Sequence, residues 1–284
     1  MIVYTNKGPV RDHNEDAVFA LGNIISGCSM AKPLTLDVEN PNGCCVVIDG
    51  MGGCKGGERA ARIVAHSFLD SAEAWNIKAN EVCYPYIIDV VGFPLLGDML
   101  TRHECIITAH KACNKIFDIL IDAAKRISDA AVKNPELSSM GAVLAGVVFC
   151  LDAALVFNCG DCRVYRHNGK CLEKLSHDHS IVQMLCDQGE IDEDSMRTYP
   201  QKNIVTSCVS ADLANSSLYL YQVPLLQEGQ KFFMCSDGVW EALSDQEIEE
   251  CLSVESTYEA ACTLSKKLLE LGDRCHDNIS FVIV

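Results

Sequence analysis

The feature that most constrains this chain is a recurrence. Apolar, strand-forming runs meet an aspartate beside glycine or asparagine. Val46-Val47-Ile48 leads into Asp49-Gly50, Phe232-Phe233-Met234-Cys235-Ser236 leads into Asp237-Gly238, and Asp277-Asn278 stands directly before the last apolar run. β-Branched and aromatic residues favour extended chain. A strand end holds a side chain rigidly, and glycine lets backbone and ligands approach closely. Glu15-Asp16 adds two more carboxylates near the N-terminus. Carboxylates gathered at strand ends repel one another unless a cation lies between them. Oxygen-only ligation suits Mg²⁺ or Mn²⁺. A single Asp-Gly reads as a turn; its recurrence after strands admits a hard-metal site. Spacing alone leaves both readings open.

The elements around these positions can be placed by periodicity. Cys44–Ile48 reads as a buried strand ending in a loop at Asp49-Gly50. Glu58 to Trp75 reads as a helix with Ala61, Val64, Ala65, Phe68 and Leu69 on one face. Leu100 to Val132 reads as a long helix or a broken pair, and residues 81–99 have no assignable period. Strands follow at Ala142–Cys150 and Ala153–Asn158, then a hairpin, Arg163–His167 and Cys171–Leu175, about Asn168-Gly169. Further strands are expected at Ser217–Val223 and Lys231–Cys235, helices at Asp245–Leu252 and Thr257–Leu271, and a final strand at Asn278–Val284. Hairpins separated by long helices do not make the strict alternation of a doubly wound parallel sheet. Two antiparallel sheets with helices packed outside fit, and no linker or repeat divides the chain.

Composition narrows the partners. The 284 residues carry 39 acids against 23 bases, a net charge of −16, which argues against nucleic acid or an anionic membrane as the main partner. An acidic protein that handles phosphate needs local masking, which bound divalent metal supplies. The 17 cysteines are scattered and odd in number, and several lie inside apolar runs. They read as reduced, buried thiols of a cytoplasmic protein. Cys159 and Cys162 form an isolated C-x-x-C in a Gly-Asp turn, a weak sign of zinc or redox use. No secretory h-region precedes Pro9, and no apolar run reaches the roughly 18–20 residues of a membrane span.

In chain order the sequence shows Arg11-Asp12-His13-Asn14-Glu15-Asp16, Asp49-Gly50-Met51-Gly52-Gly53, Met140-Gly141, Gly160-Asp161-Cys162-Arg163-Val164-Tyr165, Asp178-His179-Ser180, Ser236-Asp237-Gly238-Val239-Trp240 and Asp277-Asn278-Ile279-Ser280. Each block is short, but seven in this order resemble the type 2C, or PPM, metal-dependent Ser/Thr protein phosphatases in their bacterial form. His179 to Ser207 also resembles the family's flap, through Gln188-Gly189-Glu190-Ile191 and Tyr199-Pro200-Gln201. The resemblance implies an α+β fold: a four-layer α-β-β-α sandwich with two central antiparallel sheets flanked by helices. It implies one domain over residues 1–284, with a flap at about 179–215.

The resemblance also implies roles. Asp49 bridges two Mn²⁺ or Mg²⁺ ions, the Gly50 carbonyl and Glu15 complete one, and Asp237 and Asp277 the other. Asp16 and Asn278 support these from behind. Arg11 holds the substrate phosphate, as a bidentate guanidinium can. A water between two cations is acidified to a hydroxide-like nucleophile that attacks phosphorus in line, without a phospho-enzyme. The implied partners are phosphorylated proteins, with a Ser/Thr kinase as the opposing enzyme. A haloacid-dehalogenase phosphatase would need an Asp where Met51 stands.

Two departures matter. Many family members carry His where this chain has Met51, and a thioether cannot protonate a leaving alkoxide. His13 is expected to be a solvated turn residue. Bacterial relatives carry Asp where this chain has Ser138, and Thr-Thr at Ala142-Val143, so a third metal site is expected to be weakened or absent. His66 and His110 are expected on helices, in structural or surface positions, Trp240 in the core and Glu190 to Glu193 on a solvated flap face. A reading from another class, a catalytically weak module that binds phosphoprotein, is opposed by the intact set Arg11, Glu15, Asp49, Asp237 and Asp277.

Overall fold

A computed structural model describes residues 1–37, 43–52, 56–71, 87–91, 111–150, 153–214 and 216–284. Strands β1 (Ile2–Asn6), β2 (Ala17–Ala20), β3 (Asn23–Ser26), β4 (Leu34–Thr35) and β5 (Gly43–Met51) precede helix α1 (Gly56–Asp70). After β6 (Ile87–Val91) comes α2 (Lys111–Lys133), then β7 (Gly141–Phe149), β8 (Ala154–Cys159), β9 (Arg163–His167) and β10 (Leu172–Lys174). Two short helices, α3 (Ile181–Asp187) and α4 (Glu193–Met196), lead to β11 (Val209–Ser210), β12 (Ser217–Val223) and β13 (Lys231–Cys235). Helices α5 (Asp237–Trp240), α6 (Asp245–Leu252) and α7 (Thr257–Glu270) precede β14 (Ile279–Ile283).

One sheet runs β10-β9-β13-β14-β1-β4 and the other β3-β2-β5-β7-β8-β12-β6, with β11 also on β7. Every pairing is antiparallel. Side-chain alternation sorts the layers. From β5, Cys44, Val46 and Ile48 pack with Val64 and Phe68 of α1 and Ile116 and Leu120 of α2. Cys45 and Val47 point the other way, into a core shared with Val164, Phe232, Met234 and Val282 of the opposite sheet. Tyr4, Phe233 and Phe281 close the outer face of that sheet against Trp240, Ile248, Leu264 and Leu268. Each such fully buried side chain contributes about 1.5–3 kcal/mol. The layering is helix, sheet, sheet, helix, as expected.

Three readings change. The strand at Cys44 does not stop at Ile48: Asp49, Gly50 and Met51 continue it, paired with Val143, Ala142 and Gly141 of β7. The helix expected from Glu58 begins two residues earlier and ends at Asp70; residues 72–75 lie outside the described region, as do 100–110 of the longer helix. Within 81–99, residues 87–91 form a strand in register with β12. The strands Ile2–Asn6 to Leu34–Thr35 had no counterpart in the sequence reading. No helix among the described residues is long and apolar enough to cross a membrane.

Candidate active site

One end of the sandwich collects the acids. Asp49 and Gly50 come from the end of β5, Asp237 from the first turn of α5, and Asp277 from the residue pair before β14. The loop between β1 and β2 supplies Arg11, Glu15 and Asp16. Asn278 ties that loop to the C-terminal segment. Its Oδ1 accepts from Glu15 N (2.8 Å), and its Nδ2 donates to the carbonyls of Lys7 (3.0 Å) and His13 (2.8 Å). Its own N–H donates to Asp277 Oδ1 (2.8 Å). One buried side chain therefore fixes the spacing of Glu15 and Asp277.

Glycines let the backbones close in. A Cβ on Gly57 would lie 2.5 Å from the Gly50 carbonyl oxygen and 3.0 Å from Cδ of Glu15. The Gly50 carbonyl and the Glu15 carboxylate thus share one small space at the N-terminus of α1. A Cβ on Gly238 would run into the Asn278 carbonyl, so the Asp237 turn and the Asp277-Asn278 segment touch backbone to backbone.

Burial and mutual repulsion make the acids hard to ionise. Asp49 is held well above the usual carboxylate range, first by desolvation and then by Asp16, Asp237, Asp277 and Asp161. Asp237 is raised well above it too, by desolvation, then Asp277 and Asp161. Asp16, fully enclosed, is pushed up to about 7 by burial; it accepts from Ser236 Oγ (3.0 Å) and lies within hydrogen-bonding reach of Asp49. Glu15 is raised by desolvation, against the pull of Arg11. Glu15 Oε1, Asp16 Oδ1 and Asp237 Oδ1 are buried without a hydrogen-bond partner. Bare acceptor oxygens, raised pKa values and a backbone carbonyl in the same space suit a hard divalent cation. The carboxylates surround a common space without closing on it: among the described residues no three Asp, Glu, His or Cys side chains stand at ligating distance of one point.

Arg11 rests at the rim. Its Nη2 donates to Asp277 Oδ2 (2.6 Å) and its Nε to the His276 carbonyl (3.2 Å), while half of the side chain, 51%, stays exposed. Met51 ends β5 with no proton to offer, and His13 is exposed. Ser138 is exposed after a short 3₁₀ turn at Pro135–Leu137. His66 is exposed, Trp240 is buried, and Glu190 and Glu193 are exposed, all as expected; His110 lies outside the described residues.

Some participants were not singled out from the sequence. Gly57 is one; the Gly56-Gly57 pair opening a helix was the available signal. Asp161 and Glu241 are others, close enough to Asp237 for their charges to raise it. Asp161 follows Gly160 in a motif the sequence reading had quoted, whereas nothing marked Glu241.

Comparison with known proteins identifies the family. The family model described as Protein phosphatase 2C matches residues 34–270. The Ser/Thr protein phosphatase PstP of Mycobacterium tuberculosis is 24% identical over 286 residues; the match takes in 98% of this chain and 43% of that protein, so this chain spans less than half the length of that relative. The Ser/Thr phosphatase stp of Listeria monocytogenes is 24% identical over 281 residues, covering 99% of this chain and 93% of the relative. In fold, the catalytic domain of PstP solved in complex with two manganese ions superposes with a TM-score of 0.69 at 21% identity, over 100% of this chain and 98% of that one. The chain belongs to the protein phosphatase 2C family.

Proposed function

We propose that this chain hydrolyses phosphoserine and phosphothreonine esters of proteins, using two Mn²⁺ or Mg²⁺ ions held by Glu15, Asp49, the Gly50 carbonyl, Asp237 and Asp277. The observation that carries this reading is the mutual proximity of Asp49, Asp237 and Asp277, with Glu15 Oε1 and Asp237 Oδ1 buried without a hydrogen-bond partner. The two manganese ions in the PstP structure support the metal count. When bound, such a cation pair acidifies a water and neutralises phosphoryl charge.

The chain's own groups do the rest. Asn278 and Asp16 hold Glu15 and Asp49 in place through the contacts described above. Arg11 receives the phosphate: it stands at the rim, and Nη1 makes no bond among the described residues. Met51 at the end of β5 offers no proton to the leaving alkoxide, which water or another group must protonate. Aryl esters, whose leaving groups need no acid, are the less demanding substrates. The inter-sheet core, to which both sheets contribute, supports one domain over residues 1–284. All 14 described cysteines are free, which supports a reducing, cytoplasmic setting; acting on phosphoproteins, the chain would oppose a Ser/Thr kinase.

The test is hydrolysis of an aryl phosphate and a phosphothreonine peptide with Mn²⁺, with Mg²⁺ and with chelator, beside Asp237→Asn. Metal-dependent turnover of both substrates, reduced by about 10²-fold or more in the variant, is expected. No turnover with metal demonstrably bound sinks the enzymatic reading in favour of a phosphoprotein-binding module.

A further inference from the structure

Two basic side chains of the flap turn inward. Arg197, directly after α4, donates from Nε to the Trp240 carbonyl (2.8 Å) and from Nη2 to Asp245 Oδ1 (2.5 Å). Lys202 forms an ion pair with Glu241 Oε2. Trp240 and Glu241 belong to the turn that starts at Asp237, and the Glu241 N–H donates back to the Asp237 carbonyl (2.9 Å). The base of the flap is closed separately, by the Ser180–Val205 bridge and by Ile181 N donating to the Ile204 carbonyl (2.9 Å). The outer half of the flap is thus bolted at two points to the helical turn that carries a proposed metal ligand.

That turn is short of positive charge. Glu241 and Asp161 both act on buried Asp237. Asp237 Oδ1 and the second Glu241 oxygen, Oε1, are buried without a partner. Arg163 is near, but it is committed elsewhere: Nε and Nη2 donate to Asp178 (2.8 and 2.7 Å), Nη1 to Tyr165 (3.1 Å), and its guanidinium lies 3.6 Å over the Trp240 ring. Trp240 in turn donates from Nε1 to the Asp161 carbonyl (2.9 Å). Among the described residues, Lys202 is the cation bonded to Glu241. A Lys placed as a point charge on a flexible stem is suited to a tethered counter-ion.

We infer that Lys202 is a positioning residue for the active site: from the flap it supplies the counter-charge of the Asp161–Asp237–Glu241 side of the acidic pocket and latches the flap over it. The cation-affinity consequence rests on the metal-dependent reading given above; the latch does not. Flap position and cation binding are then linked in opposite senses. Removing the ammonium leaves the pocket more negative, so divalent cations bind tighter, while the flap loses one of its two bolts.

The experiment is Mn²⁺ calorimetry and amide hydrogen exchange on the full chain, unaltered and as Lys202→Met, Lys202→Arg and Glu241→Gln. Lys202→Met should tighten Mn²⁺ binding by about fivefold and speed exchange of flap amides at 188–204 by about tenfold. Lys202→Arg should keep both near the unaltered values. Glu241→Gln should loosen the flap equally without tightening Mn²⁺ binding. Exchange in β5 and β14 reports whether each variant is folded. Flap exchange unchanged in Lys202→Met, or Mn²⁺ affinity unchanged or weaker, overturns the inference. If the unaltered chain binds no Mn²⁺, the metal-dependent reading fails, and flap exchange alone decides the latch. Should Lys202→Met not fold, flap exchange in Glu241→Gln decides it in the same way.

Discussion

Asn278→Ala is expected to destabilise the chain by about 2–3 kcal/mol and to weaken Mn²⁺ binding in the same variant. The side chain makes three bonds across the chain, to Glu15 N, the Lys7 carbonyl and the His13 carbonyl, at 2.8–3.0 Å. A net contribution of about 1 kcal/mol each gives about 3. Lys7 and His13 are exposed, so water can reach their carbonyls and trims that figure. The Glu15 N–H is the costlier loss, because it fixes the backbone from which a proposed ligand projects. Urea unfolding followed by circular dichroism, with chelator present, isolates the stability term from metal binding. The midpoint should fall with no change in m-value. Mn²⁺ calorimetry on the same variant should show at least about tenfold weaker binding, since a ligand moved by 1 Å loses most of its interaction. Asn278→Asp keeps the acceptor, loses both donors and adds a charge beside Asp277, so it should be no better than alanine. A stability loss under about 0.5 kcal/mol, the level of an ordinary surface change, together with unaltered Mn²⁺ affinity, would refute the assignment of this residue as the tie between the two ends of the site.

Two further outcomes are expected. Gly57→Ala places a methyl 2.5 Å from the Gly50 carbonyl oxygen and 3.0 Å from Glu15 Cδ; the strain should cost about 1–3 kcal/mol in thermal unfolding and weaken Mn²⁺ binding measured by calorimetry. In chelator, stability should fall as pH rises: Asp16 holds its proton up to about 7 in the folded chain, but only to about 3.9 when unfolded. The folded state therefore binds more protons across that window, its stability contribution is fully present below the unfolded value, and it is lost as pH passes the folded one. Urea midpoints at pH 5 and pH 8 check this, and midpoints that rise with pH in chelator would contradict it.

Much of the second half of the fold was legible because its signals are local. Ser217–Val223, Lys231–Cys235 and Asp245–Leu252 fall where periodicity places them, the last helped by a capping box between Ser244 and Glu247. The hairpin about Asn168-Gly169 forms, with Gly169 at a positive φ of 90°, but the turn is four residues long rather than two, because His167 pairs with Leu172. Asp49-Gly50 was misjudged because the pair carries turn chemistry, whereas pairing with Ala142 and Val143 of β7 holds it in the strand. The β2–β3 hairpin turns at Leu21-Gly22, where a leucine takes φ of 47°, a choice no local preference announces. The site was legible in its residue types and order, and hidden in its assembly. Arg11 meets Asp277, and Glu15 meets Asn278, across more than 260 residues, and spacing along a chain says nothing about such pairs. The Lys202–Glu241 contact was hidden for a different reason: charges in a solvated segment look alike until one of them is seen to turn inward.

Strand β1 lies inside its sheet, between β14 and the edge strand β4, with Ile2 opposite Ile283 and Asn6 opposite Ile279. Its main neighbour, β14, lies more than 270 residues further along the sequence. That sheet is completed by closing a loop of some 270 residues, which is among the slower kinds of folding event. A chain that ends before Asp277 lacks both that carboxylate and Asn278, which ties down the loop carrying Glu15. The carboxylate cluster is therefore assembled only when β14 pairs with β1, the long-range step of this sheet.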